Sequence, residues 1–257
     1  EPPMNATDDA LPPASELVQR QLGLLESHLA RVRTRSPFFA EHLGAVKVDS
    51  VEIFLDLPTM TREDVRLNLD RIVSRGPADD EEIEWYSTSG TTDERLQVAH
   101  PKDAFRHDSV RCAWMFGPEG QKLYEGGVAI LTTPVCSGVR CHMDMDDSFE
   151  ARLDRTVLTL NSGVNPTRFT EKKLREMFDD IERHRTLVLA ADAAYAMALA
   201  RWILHTGLPP FAIEAAILGY EVSSEIHKRA IEKAFRPNWL IEDYGLTELG
   251  NIGLECS

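Results

Sequence analysis

Cysteine is scarce in this chain. Cys112, Cys136, Cys141 and Cys256 are the only four in 257 residues. They are too few and too scattered for the disulfide framework of a small secreted domain. No apolar run approaches the ~18 residues of a membrane-spanning helix. The opening stretch, Glu1-Pro2-Pro3-Met4-Asn5, has neither the basic region nor the apolar stretch of a secretory signal. Lys and Arg never form a run of five, and the formal net charge is −14. Such a chain repels phosphate backbones. The expectation is a cytoplasmic protein with no membrane and no nucleic-acid partner. Small phosphorylated ligands stay open, because backbone amides can hold them.

What is present is ordinary for a globular protein: 43% hydrophobic and 27% charged residues. Residues 1–14 are rich in Pro, Ala and Asp and read as a loose arm. From Ser15 the pattern turns helical, with Leu17, Leu22, Leu24, Leu25, Leu29 and Val32 near a 3.6 period. Ser36-Pro37 breaks it, and a short helix follows to Leu43. Thr61 with Asp64 three residues later forms a capping-box-like helix start. Beyond residue 80 the texture changes. Apolar runs at 128–131, 157–160, 186–189, 213–218 and 239–241 read as buried strands, and helical patterns separate several of them. This alternation predicts an α/β fold, a multi-layer sheet with packed helices. The expected organisation is an arm over 1–14, a helical segment over 15–80 and an α/β region over 81–257.

Tyr86-Ser87-Thr88-Ser89-Gly90-Thr91-Thr92 follows a short strand, and a second strand is expected after it. The five Ser and Thr hydroxyls and the one glycine of Ser87–Thr92 can wrap a polyphosphate with hydroxyl and backbone N–H donors. It is not a Walker A loop, because no Gly-Lys-Ser/Thr follows. A polar hairpin turn would have the same composition. A second segment, Asp243-Tyr244-Gly245-Leu246-Thr247-Glu248, offers a ring for stacking, a hydroxyl donor and a carboxylate fit for Mg²⁺. A strand end with a helix-capping Thr would read the same way.

Ser87–Thr92 resembles the phosphate loop of the adenylate-forming superfamily, with Asp93, Glu94 and Arg95 standing where that family has Gly-Lys-Pro. Residues 244–248 resemble its Tyr-Gly-x-Thr-Glu motif. Gly219-Tyr220-Glu221 resembles the Gly-Ala-Glu that borders adenine in phenylacetate–CoA ligases, with Tyr220 in place of the small residue. Ser36-Pro37-Phe38-Phe39 and the stretch from Leu57 to Arg66 resemble two framing segments of the same ligases. The resemblance covers Leu17 to Cys256 in unbroken order.

The resemblance implies an AMP-forming acid–thiol ligase with ATP, Mg²⁺ and coenzyme A as cofactors. An aryl or other hydrophobic carboxylic acid would be activated as acyl-AMP and passed to coenzyme A. It assigns Thr247 and Glu248 to catalysis, Glu248 holding Mg²⁺. It assigns Ser87, Thr88, Ser89, Gly90, Thr91, Thr92, Gly219, Tyr220, Glu221, Tyr244 and Gly245 to the nucleotide. Gly138 and His142 fall where the family borders its acyl pocket. Ser257 follows Glu248 by nine residues, so the family's ribose-binding Asp and its carboxy-terminal lid domain fall beyond it. The expectation is therefore an incomplete amino-terminal portion. Partners would be the acid, ATP and coenzyme A, with homodimerisation left open. Two alternatives remain: adenylation feeding a carrier-protein thiol or an amine, and a non-catalytic nucleotide-binding module. Cys136, Cys141, His142 and Cys256 also leave open a zinc site, against buried apolar roles for the cysteines.

Overall fold

The computed structural model describes residues 13–73, 83–88, 96–102, 126–133, 147–163, 165–246 and 249–254. The chain divides into two units, Glu1–Trp85 with Thr92–Lys102, and Tyr86–Thr91 with Asp103–Ser257.

The first unit opens with α1 (Ala14–Arg35), α2 (Pro37–Leu43), α3 (Val51–Leu55), α4 (Arg62–Leu67) and α5 (Leu69–Ile72). Leu22, Leu29, Leu43 and Val48 form its core, with Val18, Leu25 and Val32 against it. The buried stripe of α1 thus runs 18, 22, 25, 29, 32. This corrects the expected stripe: Leu17 and Leu24 are 41% and 65% exposed. Both are apolar, but they lie one position off the face that meets the other helices. Ser36 leaves the helical region at φ −125°, as a residue before proline prefers. Its hydroxyl accepts from the Phe39 amide and donates to the Arg71 carbonyl at 2.9 Å. Thr61 and Asp64 form a complete capping box. Next come β1 (Ile83–Ser87) and β2 (Gln97–Pro101), which pair as a two-stranded sheet.

The second unit contains β3 (Val128–Leu131), α6 (Phe149–Arg152), β4 (Leu153–Asp154), β5 (Val157–Thr159), α7 (Glu171–His184) and β6 (Val188–Asp192). It continues with α8 (Ala193–Thr206), β7 (Ala215–Gly219), α9 (Glu225–Phe235), β8 (Trp239–Leu246) and β9 (Gly250–Leu254). The strands form one sheet in the order β4-β5-β3-β6-β7-β8-β9. The five strands from β5 to β8 run parallel, and the edge strands β4 and β9 run antiparallel. This is the α/β fold expected from the alternation of strands and helices.

Parallel strands are buried on both faces, which is why they read as unbroken apolar runs. Ala129, Leu131, Leu158, Leu189, Ala191, Ala216 and Leu218 face a core shared with α7, α8 and α9. Val128, Val188 and Ala215 belong to a second cluster, with Ile130 and Ile217 against it. The steps β5 to β6, β6 to β7 and β7 to β8 all advance in one direction across the sheet. Right-handed crossovers then bring the three helices to a common face. Left-handed C-caps close the helices: Arg185 after α7 at φ 55°, Gly207 after α8 at φ 68°, and Arg236 after α9 at φ 41°.

β8 differs from expectation. It runs on through Asp243, Tyr244 and Gly245 to Leu246 and pairs with β9, whereas the apolar signal ended at Ile241. Tyr244 and Leu246 are 63% and 43% exposed, so this half of the strand carries no buried run to reveal it.

Leu199 on α8 is fully buried in the main cluster. Leu199→Ala is expected to destabilise the protein by about 3 kcal/mol, seen as a lower denaturant midpoint with unchanged slope.

Candidate functional site at the carboxyl edge of the sheet

β3 lies between β5 and β6. The chain leaving β3 goes on to the β5 side, and the chain leaving β6 goes on to β7. Their exits diverge, and such a divergence at the carboxyl edge of a parallel sheet is where α/β folds bind ligands. Thr132 and Thr133 follow β3, and Asp192 ends β6. The Thr132 hydroxyl donates to the Asp192 carboxylate at 2.9 Å, and the Thr133 amide donates at 3.3 Å. Asp192 stands at the N-cap of α8 but makes no capping bond there; its oxygens turn to β3 instead. Burial pushes its carboxyl up to about 6. The Thr132 and Thr133 donors oppose that shift, and the nearby Glu221 carboxylate adds to it.

The exit of β5 is tied to the same place. Ser162 donates its hydroxyl to the Thr132 carbonyl. Tyr195 donates its phenol to the Gly163 carbonyl at 2.7 Å. Burial raises the Tyr195 phenol above its ordinary value, and it remains the protonated donor.

On the other flank, Gly219 pairs in register with Asp192. A Cβ on Gly219 would lie 3.9 Å from the Asp243 carbonyl, so the exits of β7 and β8 are close neighbours. Glu221 reaches back to α8, where its Oε1 accepts from the Ala194 amide at 2.7 Å. Glu242 accepts from the Ser223 amide at 2.9 Å and pairs with Lys228 at 2.9 Å. Those contacts hold its carboxyl below the usual range, with the Lys228 hydrogen bond the largest cause. Burial raises Asp243, whose Oδ1 meets no hydrogen-bond donor among the described residues. Beyond it stand Tyr244 and Gly245. The pairing of β8 with β9 shifts register between these two, opposite Gly253 and Asn251. Such irregularities recur beside binding sites.

The sequence-expected nucleotide residues Gly219, Tyr220 and Glu221 therefore occupy the turn after β7, beside the strand that carries Tyr244 and Gly245. Ser87 is the last residue of β1 and Thr88 follows it, both half-buried. Ser89, Gly90, Thr91, Thr92, Gly138, His142, Thr247 and Glu248 lie outside the described residues, as do Cys136, Cys141 and Cys256. Among the described residues, no His, Cys, Asp or Glu group of three or more is placed to hold a metal ion. No helix there is long and apolar enough to cross a membrane.

Sequence reasoning did not single out Asp192, Thr132, Tyr195 or Asp243. A weak signal existed at two of them. Asp192 ends the buried run of β6, and Asp243 lies two residues past the apolar run of β8, after Glu242, where polar residues mark the end of the parallel segment. Chemically, this edge presents two exposed aromatic residues, Tyr220 and Tyr244, and also carries the carboxylates of Asp192, Glu221, Glu242 and Asp243. That suits a ligand with a flat ring and N–H donors.

Asp192 holds its proton more tightly in the folded chain than in the unfolded one. The stability this gives is fully present below the ordinary value of 3.8 and is lost as pH rises through about 6. The span corresponds to roughly 3 kcal/mol. Asp192→Asn is expected to remove this slope, so that the variant gains on the wild type by up to that amount between pH 4 and pH 7. Denaturant melts of both proteins across that range check it; parallel curves would contradict burial as the cause.

No protein-family model matches the sequence, and no curated protein sequence does either. Solved structures do match. One is 2-hydroxyisobutyryl-CoA ligase in an open conformation with 2-HIB-AMP and CoA, at TM-score 0.63 and 16% identity over 91% of this chain. The same ligase in its postadenylation state with 2-HIB-AMP matches at TM-score 0.63 and 15% identity over 90% of this chain. The chain spans about half of those ligase chains, 54% and 48% of their length. This likeness shows that the α/β fold of this chain is the fold of about half of that ligase chain.

Proposed function

We propose that this chain is the amino-terminal part of an ATP-dependent acid-activating enzyme that forms acyl-AMP and passes the acyl group to coenzyme A. In the first step a carboxylate oxygen attacks the α-phosphorus of ATP and the bond to pyrophosphate breaks. In the second, the thiol sulfur attacks the acyl carbon, AMP leaves, and the thiol proton passes to solvent. An aryl or other hydrophobic acid is the proposed substrate class, with Gly138 and His142 bordering it.

The observation that carries this reading is the meeting of the Gly219–Glu221 turn with the Tyr244-bearing strand at the carboxyl edge. The fold likeness supports it. Tyr244 would stack on adenine, with Gly219, Tyr220 and Gly245 around the ring. Ser87 to Thr92 would hold the phosphates through hydroxyl and amide donors. Thr247 would donate to the α-phosphate, and Glu248 would hold Mg²⁺. The bound metal would supply charge neutralisation at the phosphates. Asp93 and Glu94, beside the phosphate loop, favour a second reading, nucleotide binding without catalysis. A carrier-protein thiol or an amine as acceptor shares the first step.

The test is acid-dependent exchange of labelled pyrophosphate into ATP, run on the full protein with a panel of carboxylic acids. Exchange with an aryl or hydrophobic acid is expected. Tyr244→Ala is expected to raise the KM for ATP about tenfold, the loss of one base-stacking contact. AMP binding without exchange would favour the non-catalytic reading, and absence of both would overturn the proposal.

A further inference from the structure

The turn after β7 is held in an uncommon shape. The Glu221 amide donates to the Gly219 carbonyl at 2.8 Å, closing a three-residue turn around Tyr220. Tyr220 has φ +66°. A γ-turn with positive φ at its centre is the rarer kind and is strained, more so for a residue with a bulky side chain. Such strain persists only where surrounding contacts over-determine it, and it gathers at ligand sites.

The surrounding ties are visible, and none needs the Tyr220 ring. Gly219 is fixed by its ladder position beside Asp192. Ser223, buried after the turn, is fixed by its amide on Glu242, itself paired with Lys228. The tie between them is Glu221. Its carboxylate accepts from the Ala194 amide in the first turn of α8 at 2.7 Å. That amide is one of the donors a helix leaves unsatisfied, and the helix dipole favours an anion there. Asp192 stands at the N-cap position but spends its oxygens on Thr132 and Thr133, which leaves the Ala194 amide to Glu221. Tyr220 as a whole residue is left 71% exposed at the sheet edge, while burial of its phenol raises that group above its ordinary value.

We propose that Glu221 is a positioning residue. By latching onto α8 it holds Tyr220 in its strained turn and so fixes where that ring stands beside the purine of the bound nucleotide. This inference rests on the nucleotide site proposed above. In this role Glu221 acts on the backbone of the turn and on Tyr220, in place of the direct nucleotide contact that the family resemblance assigned to it. The strained conformation selects one ring direction, where a relaxed turn would allow several.

A double-mutant cycle on the full protein tests this, reading KM for ATP and kcat separately. Glu221→Ala should raise KM for ATP roughly tenfold, the size of one lost base contact, with kcat within about twofold. Glu221→Gln keeps an oxygen acceptor for the Ala194 amide and should stay within about threefold of wild type. In a Tyr220→Gly background, where glycine accepts positive φ without strain, Glu221→Ala should change KM by less than about twofold. An equal rise in both backgrounds would mean that Glu221 contacts the nucleotide directly, and an unchanged KM in Glu221→Ala would remove the latch; either overturns the proposal. If the wild type neither exchanges pyrophosphate nor binds ATP, the nucleotide reading fails, and the inference built on it fails too. Hydrogen exchange at the Ala194 amide in the free protein then shows which part failed. Protection in wild type and Glu221→Gln but not in Glu221→Ala leaves the latch standing as geometry, and equal protection in all three overturns that as well.

Discussion

Parallel register is the constraint on which the second unit depends. β3, β6, β7 and β8 run the same way, so every exit lies on one edge. Parallel strands need long crossovers, and here α7, α8 and α9 supply three of them and cover one face. The strands are consequently apolar for most of their length. Polar chemistry is pushed to their ends, where Thr132, Asp192 and Asp243 collect within reach of the loops. The register that pairs Asp192 with Gly219 places the end of one strand beside the turn that follows the next.

The electrostatics of that edge follow from the same packing. Two carboxylates, Asp192 and Glu221, share the neighbourhood of one helix N-terminus, and the nearby Glu221 carboxylate adds to the upward push that burial gives Asp192. They divide the available donors. Asp192 takes the hydroxyl and amide after β3, and Glu221 takes the amide of α8. The division joins three elements that are far apart in sequence. A buried acid so placed keeps its charge at some cost in stability, and the raised value at Asp192 is the sign of it.

The first unit is organised by short-range chemistry. Ser36 ends α1, caps α2 and reaches the Arg71 carbonyl. Thr61 and Asp64 start α4. The caps act over three or four residues and were legible for that reason, whereas the reach of Ser36 to Arg71, 35 positions on, was not. The flank of α1 was less so. Leu24 is as apolar as Leu25, and only the position of the neighbouring helices decides which of them is covered.

By itself, the sequence determined the α/β class, the five parallel strands and the helix starts, because apolar runs, periodicity and caps are local signals. It also marked Tyr244–Gly245, whose ring can stack, and Gly219–Glu221, which it marked only through a resemblance to the adenylate-forming ligases. Tertiary structure alone decided the strand order and the continuation of β8 past its apolar run. It alone placed Asp192 and Asp243 at the edge, and it turned Glu221 toward Ala194. These depend on contacts between residues that lie tens of positions apart in the chain, such as the 60 between Thr132 and Asp192. No local pattern encodes such a meeting, because it exists only once the strands have paired.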